Sequence, residues 1–400
     1  NIPMTKEIKA LTEVEAVQKL ARIKQNGPTY HIYPGAVHTR LSHSIGVYYL
    51  GRQILLSLAK KSDELPFTEK GIMSFLAACL LHDIGHFPYA HSLKELSIRE
   101  HEEIAGTMIL EEGELRRSVE KTGADPVMVA AIIDKDLLTG DEETLFYRNV
   151  LSGTLDPDKL DYLSRDGFFA GVPYGRQDTD FIISSLSLHN SRLCIDREAI
   201  GSVEQILFSK YMMYKSIYWH KGVRSATAMI KKALITAIND HSITFEDLYG
   251  IDDSTFFLLC RDKKKMTPAL EMVERVEYNH LLERKAVKEY ERRGVIETKG
   301  KRPEDRIEME NTIYNRLNRS YPLLKPWEVV IDIPEPISFE THISIYSPDG
   351  TVSDISDEEM VFTGEISSLF QKSLRKVALY VPAFVSEEEA RKAMGEIIYG

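Results

Sequence analysis

The stretch IMSFLAACLLHDIGHFPYAH, residues 72–91, constrains the fold more than any other. From Ile72 to Leu81 nearly every position is apolar, so a helix here has no face to give to water and other elements must enclose it. The run is well short of the roughly 20 residues that span a bilayer, so the enclosure is protein. At its C-terminal end the helix carries His82 and Asp83 into the same interior, before Gly85 and Pro88 stop it. An ionised aspartate in such a place needs a cation, either arginine or a metal; a hydrogen-bonded Asp-His pair or a C-cap is the plainer answer.

Around this run, apolar residues recur at helical spacing between short Gly, Pro and Asn breaks, the pattern of a helical domain. Helices are expected over 11–25, 42–60, 68–84, 99–112, 113–121, 125–134, 158–165 and 178–187, with one long helix over 202–240. SLHNSRLCID (187–196) reads as two short strands around an Asn-Ser turn. A chain of 400 residues is long for a single core, and its texture changes after 240, so a division into 1–240 and 241–400 is expected. In the second part EMVERVEYNHLLERKAVKEYERRG (271–294) predicts a charged amphipathic helix. WEVVIDIP (327–334), THISIYSPDG (341–350) and KVALYVPAF (376–384) have the composition of strands. The class expected is mainly α, with a smaller α+β C-terminal region.

The net charge of −11 argues against a general polyanion-binding surface, so nucleic acid is not indicated and an anionic ligand must find a local basic pocket. Cys79, Cys194 and Cys260 are far apart and have no paired spacing, which fits a reducing cytoplasm and rules out a thiolate metal site. The first ten residues have neither a basic start nor an apolar signal core, and no segment is long enough for a membrane span.

HTRLSHSIGV (38–47) brings two histidines and an arginine to the start of a helix. On that helix Val47, Leu50, Ile54 and Leu58 share a face with His43, which therefore points inward, either as a satisfied core histidine or as a ligand. A third segment, LDPDKLDYLSRDGF (155–168), opens with Pro157 and then spaces Asp158, Tyr162 and Asp166 four apart on one face, with Leu160 and Leu163 opposite. Such a face is solvated or turned toward a site. Neutral imidazoles and carboxylates without thiolate suit Mn, Fe, Co, Ni or Mg more than structural zinc, and a site of this kind activates water against a phosphoryl group.

The pattern H…HD…D resembles the signature of the HD-domain metal-dependent phosphohydrolases. IKQNGPTYHIYPGAVHTRLSHSIGVYYLG (23–51), LLHDIGHFPYAH (80–91), EHEEIAGTMI (100–109), DPDKLDYLSRD (156–166) and YWHKGV (218–223) are similar, in order, to blocks of its deoxynucleoside triphosphate triphosphohydrolase branch. That branch holds bacterial enzymes and the SAM-and-HD-domain enzyme of animals. The similarity runs over roughly 11–240 and is loose beyond.

The resemblance implies an HD-domain helical core and metal ligation by His43, His82, Asp83 and Asp158, with a divalent ion (Mn, Mg, Fe, Co or Ni, with Zn as a further choice). It implies that His86, His91 and His101 surround the phosphates, with His91 protonating the leaving 5′-oxygen and Glu102 orienting the histidines. Arg40 and Lys159 match phosphate-holding positions, Gln25, Tyr162 and Asp166 match readers of the 3′-hydroxyl, Tyr218 matches an aromatic against the sugar, and Lys210 stands where the animal enzyme has arginine. Plainer roles are a surface ion pair for Arg40, a helix cap for His91 and core packing for the tyrosines. Departures from the pattern are Lys94 in place of an acid, Trp219 in place of a glutamine near the base, and the lack of the family's DPVHG-like opening, which suggests a truncated N-terminus. The activity implied is hydrolysis of deoxynucleoside triphosphates to deoxynucleoside and inorganic triphosphate. The alternatives are a nucleotidase or phosphodiesterase on another nucleotide, or a weakly catalytic nucleotide or nucleic-acid sensor. The branch commonly forms dimers or tetramers, so a homo-oligomer is expected, with the C-terminal region as interface or regulatory part.

Overall fold

The apolar run forms the helix Glu69–Leu81, capped at its start by the Thr68 hydroxyl, which accepts from the Gly71 amide at 2.9 Å. Phe75 and every residue from Ala77 to Leu81 are fully buried, as all-round apolarity requires. The structure is a computed structural model that describes all residues except 1, 62–66, 91–92, 94–95, 97–98, 190–191, 291–294, 299, 301, 338, 340–341 and 400, together with the side chains of 295, 298, 398 and 399. The expectations on His91, Lys94 and the Asn-Ser turn therefore lie outside the described residues.

Helices Arg40–Lys61, Pro126–Ile133, Glu142–Leu151 and Pro157–Ala170 pack in the largest apolar cluster with Glu69–Leu81. On Arg40–Lys61, His43, Val47, Ile54 and Leu58 of the expected inward face are buried, and Leu50 is partly buried against the same cluster. Pro157–Ala170 has Pro157 in its first turn, Asp156 as N-cap (Oδ1 accepts from the Lys159 amide at 2.6 Å) and Gly171 at φ 70° as its left-handed stop. A second cluster gathers Met229, Leu234, Phe256 and Val273, and a third gathers Ile313, Leu379, Val381 and Met394.

Among the described residues, two small sheets join the helices. Lys376–Val381 lies between Glu283–Glu289 and Val330–Asp332, antiparallel to both. The hairpin Leu186–His189 and Arg192–Asp196 continues into Ser344–Tyr346, which runs parallel to Arg192–Asp196, and then Val352–Asp354. Ile343, Ile345 and Ile355 thereby join the largest apolar cluster, so residues from the C-terminal part complete the core around the apolar helix. The fold is mainly α, with its larger share of strand toward the C-terminus.

Several expected boundaries move. The segment 11–25 is Lys6–Thr12, Glu15–Gln18 and a 3₁₀ turn Lys19–Arg22, with Thr5 as the first cap. The long helix 202–240 is broken: Ile200–Met213 ends in a π turn, Tyr214–Tyr218, and Lys221–Asn239 starts afresh under a His220 cap whose Nδ1 accepts from the Gly222 amide at 3.2 Å. The helix expected over 271–294 stops at Glu277, because Asn279 turns left-handed (φ 59°) and the His280 amide folds back to the Arg275 carbonyl at 2.7 Å. Beyond this turn the chain runs as the strand Glu283–Glu289, whose pairing with Lys376–Val381 outweighs its charged composition. The helix Glu142–Leu151 was not expected from apolar periodicity; Asp141 caps it, accepting from the Thr144 amide at 2.9 Å.

Candidate active site

His43, His82 and Asp158 come from three helices or their ends, and each aims one ligand atom to within 4.8 Å of the others. His43 Nε2 lies 3.0 Å from Asp158 Oδ1 and 4.0 Å from Asp83 Oδ2, while its Nδ1–H donates to Asp161 Oδ2 at 2.8 Å. Asp161 is held in turn by both Nε and Nη2 of Arg165, each at 2.8 Å, and Gly46 is required beside them because a Cβ there would strike the Asp161 carboxylate. A carboxylate on Nδ1 fixes the ring orientation and turns Nε2 toward the cluster. His82 follows the same rule through a carbonyl: its Nδ1 donates to the Cys79 carbonyl at 3.0 Å, and its Nε2 is buried without a hydrogen bond.

Asp83 is buried, with Arg40 Nη1 on Oδ2 at 2.7 Å and His86 Nε2 3.2 Å from Oδ1. Burial works to raise its carboxyl, but Arg40, His82 and His86 override this and hold it well below the usual carboxylate range. Asp158 behaves alike: burial raises it, and the His43 hydrogen bond and charge pull it down to about 2. His43 in turn is held up to about 10, since Asp158 and Asp161 outweigh the effect of burial. His43, His82 and Asp158 form one group of donor atoms that could hold a divalent cation, and Asp83 with His86 and His101 forms a second beside it; the orphaned Nε2 of His82 belongs to the first.

His86 and His101 stack 3.8 Å apart, and His101 Nδ1 is 3.0 Å from Glu102 Oε2. Gly85 permits this arrangement, since a Cβ on it would occupy the place of the His101 carbonyl. Burial, with Arg40 and His101 nearby, drops the His86 imidazole well below its usual range.

Arg40, His43, His82, Asp83, His86, His101, Glu102 and Asp158 line one cavity of about 680 Å³ together with Gln25, Lys159, Tyr162, Asp166 and Tyr218. Asp166 accepts from Tyr218 Oη at 2.6 Å on one oxygen and meets His38 Nε2 at 2.7 Å on the other, so His38, which the sequence left without a role, braces Asp166. The Lys159 ammonium is bound by Asp156 and donates to the Gly153 carbonyl at 2.7 Å. Lys210 is not among the lining residues; its ammonium sits 5.6 Å from the Phe339 ring, and burial lowers it to about 8.

Sequence reasoning missed three groups. Asp161 and Arg165 stand at i+3 and i+7 from Asp158, a helical spacing that could have disclosed them. Lys19 had no local signal: its buried ammonium donates to the carbonyls of Ile84 and His86, each at 3.0 Å, and so pins the turn that carries His82, Asp83 and His86. The third group is a wall of the cavity, Ile333 and Glu335–Ile337, drawn from the far C-terminal part.

The HD domain family matches residues 40–157, and the HD associated region matches residues 177–395, more than half of the chain. The chain belongs to the HD-domain family of phosphohydrolases. Among individual proteins it is similar to YwfO of Bacillus subtilis (strain 168), an uncharacterized protein, at 34% identity over 56% of this chain and 50% of that one. It is also similar to the human deoxynucleoside triphosphate triphosphohydrolase SAMHD1, at 24% identity over 79% of this chain and 56% of that one. The matches thus span about half the length of these two relatives. A crystal structure of a phosphohydrolase from Bacteroides thetaiotaomicron VPI-5482 shares the fold, with TM-score 0.72 and 24% identity over 96% of this chain and 97% of that one.

Proposed function

We propose that this protein hydrolyses deoxynucleoside triphosphates to the deoxynucleoside and inorganic triphosphate. The observation that carries the reading is one cavity lined by His43, His82, Asp83 and Asp158 together with Arg40, His86 and His101, and with a tyrosine-lined side at Tyr162 and Tyr218. The human and Dictyostelium discoideum relatives that are named for this reaction support it, at 24% and 26% identity.

His43, His82, Asp83 and Asp158 would hold the divalent metal, Mn, Mg, Fe, Co, Ni or Zn, which when bound supplies Lewis-acid polarisation of the phosphoryl group and acidifies water. Arg40 keeps one guanidinium nitrogen on Asp83 and has its buried Nε without a hydrogen-bond partner, a charge-assisted donor for a phosphate oxygen. His86 and His101, with Glu102 behind, line the same end and meet the phosphate chain. Attack by water oxygen on the α-phosphorus breaks its bond to the 5′-oxygen, which takes a proton from an imidazole; the resemblance assigns this to His91. At the sugar, Gln25 Oε1 is buried without a partner and can accept a 3′-hydroxyl proton, the Asp166–Tyr218 pair offers further polar contact, and the Tyr162 ring crowds a 2′-hydroxyl.

The test is incubation of the full chain with each of the four dNTPs and Mn or Mg, with chromatographic separation of the products. Tripolyphosphate and deoxynucleoside in equal amounts are expected. Pyrophosphate or orthophosphate without tripolyphosphate would overturn the reading.

A further inference from the structure

The cavity has a wall apart from the His/Asp cluster and the Tyr162–Tyr218 side: Ile333, Glu335, Pro336 and Ile337, in the run IPEPI of residues 333–337. Its backbone is fixed from two directions. Arg224, in the helix Lys221–Asn239, grips Asp332 immediately before it through Nε at 2.9 Å and through Nη2. From the other side, Arg375 Nε donates to the Pro334 carbonyl and Gln371 Nε2 to the Ile337 carbonyl, each at 2.7 Å. Arg375 is itself seated on the Tyr290 ring, 3.5 Å from its centroid. Ile333 and Ile337 are buried, and prolines on both sides of Glu335 narrow its backbone further.

The outcome of all this anchoring is one exposed carboxylate at a set place in the cavity wall. Among the described residues no hydrogen bond or ion pair engages it. A carboxylate facing a triphosphate would be repelled, so Glu335 serves the uncharged end of a nucleotide whose phosphates lie at Arg40 and His86. Its surroundings fit that end. Tyr214 is within electrostatic reach of Glu335 and of Asp158: burial first, then these two carboxylates, raises its hydroxyl to about 12. Tyr214 and Trp219 meet edge to face at 5.6 Å, and both line the cavity, giving an aromatic surface on which a base can stack.

We propose that Glu335 reads the nucleobase and favours the edge with two adjacent N–H donors, that of guanine; this rests on the dNTP reading above. An ionised carboxylate only accepts hydrogen bonds, and its two oxygens match the ring N1–H and the exocyclic amine of guanine side by side. Adenine and cytosine offer one amine next to an acceptor nitrogen. Thymine offers one N–H flanked by two carbonyls, which the carboxylate repels. A bidentate match of this kind discriminates by roughly ten- to a hundredfold.

The experiment measures kcat/KM for dGTP and dTTP with the wild-type protein and with Glu335→Gln and Glu335→Asp. It also measures the protection that deoxyguanosine and thymidine, which carry no phosphate, give against thermal unfolding. The expected result is a dGTP-to-dTTP ratio well above one that falls at least tenfold in Glu335→Gln and is partly kept in Glu335→Asp, with the deoxyguanosine protection falling in parallel. Turnover of dNTPs with a ratio that Glu335→Gln leaves alone would overturn this inference and spare the reaction. Absence of dNTP turnover together with Glu335-dependent protection by deoxyguanosine would spare the base site and overturn the reaction. Neither turnover nor protection would overturn both.

Discussion

The two ends of the cavity differ in how much of their bracing is local in sequence. At the end lined by His43, His82, Asp83 and Asp158, short-range braces work together with braces between helices: His43 Nδ1 meets Asp161, 118 residues away, and Arg40 meets Asp83, 43 residues away. His82 is braced by the Cys79 carbonyl three residues before it, and Asp161 is braced by Arg165 one helical turn on. At the opposite wall, Asp332 is held by Arg224, 108 residues away, and Pro334 by Arg375, 41 residues away. The first end is a set of helix-spaced motifs that needs only helices packed in the right order. The second exists only after the C-terminal sheet has formed, because Val330–Asp332 must pair with Lys376–Val381 before Glu335 can reach the cavity.

This contrast can be broken at either end. The largest effect is expected from His43→Ala, which removes the inward imidazole while Asp83 and Asp158 stay. Bound metal, measured by elemental analysis, and turnover should disappear together, with turnover down at least roughly 10³-fold, several kcal/mol at about 1.4 kcal/mol per decade. Full activity in this variant would exclude His43 from the metal site. Next is Asp332→Ala, which leaves the half-buried Arg224 guanidinium without its carboxylate and is expected to cost about 1–3 kcal/mol in denaturant unfolding. Metal content should stay at the wild-type level, and a loss of metal here would show that the two ends are one unit.

Smaller effects sharpen the contrast within the metal end. Asp161→Asn keeps the shape but weakens the brace on His43 Nδ1, and metal affinity should fall by about 10–100-fold in a chelator competition. Unchanged affinity would reduce Asp161 to a partner of Arg165. Lys19→Met keeps the length of the side chain and removes both bonds to the Ile84 and His86 carbonyls, leaving them unsatisfied at about 1–3 kcal/mol each. The expected signature is a fall in kcat with little change in KM, because the turn carrying His86 loses its anchor. An equal effect on unfolding with no effect on kcat would make Lys19 purely structural.

How far a residue could be read from sequence depended on the range of the interaction that places it. His43, His82, Asp83 and Asp158 stand in segments whose apolar spacing already defines a buried face, and all four meet in the folded chain. The breaks were harder to read. The π turn at Tyr214–Tyr218 interrupts an unbroken apolar pattern, and Glu283–Glu289 becomes a strand through its pairing partner. Asp166 is legible as a site residue from its place on the polar face of its helix, yet its brace His38 lies 128 residues earlier, and nothing in HTRLSHSIGV links the two.

Composition and spacing alone determine the enclosed helix 69–81, the helical class, and the inward aim of His43 and of the His82–Asp83 pair, because burial of an apolar face and the 3.6-residue period are local properties of the chain. The folded chain was needed to reveal Lys19 beneath the His82–His86 turn, Lys159 bound to Asp156, and Glu335 in the cavity wall. Each of these depends on where a backbone carbonyl, a cap or a sheet edge comes to rest in space, and no periodicity within a segment encodes the position of another segment.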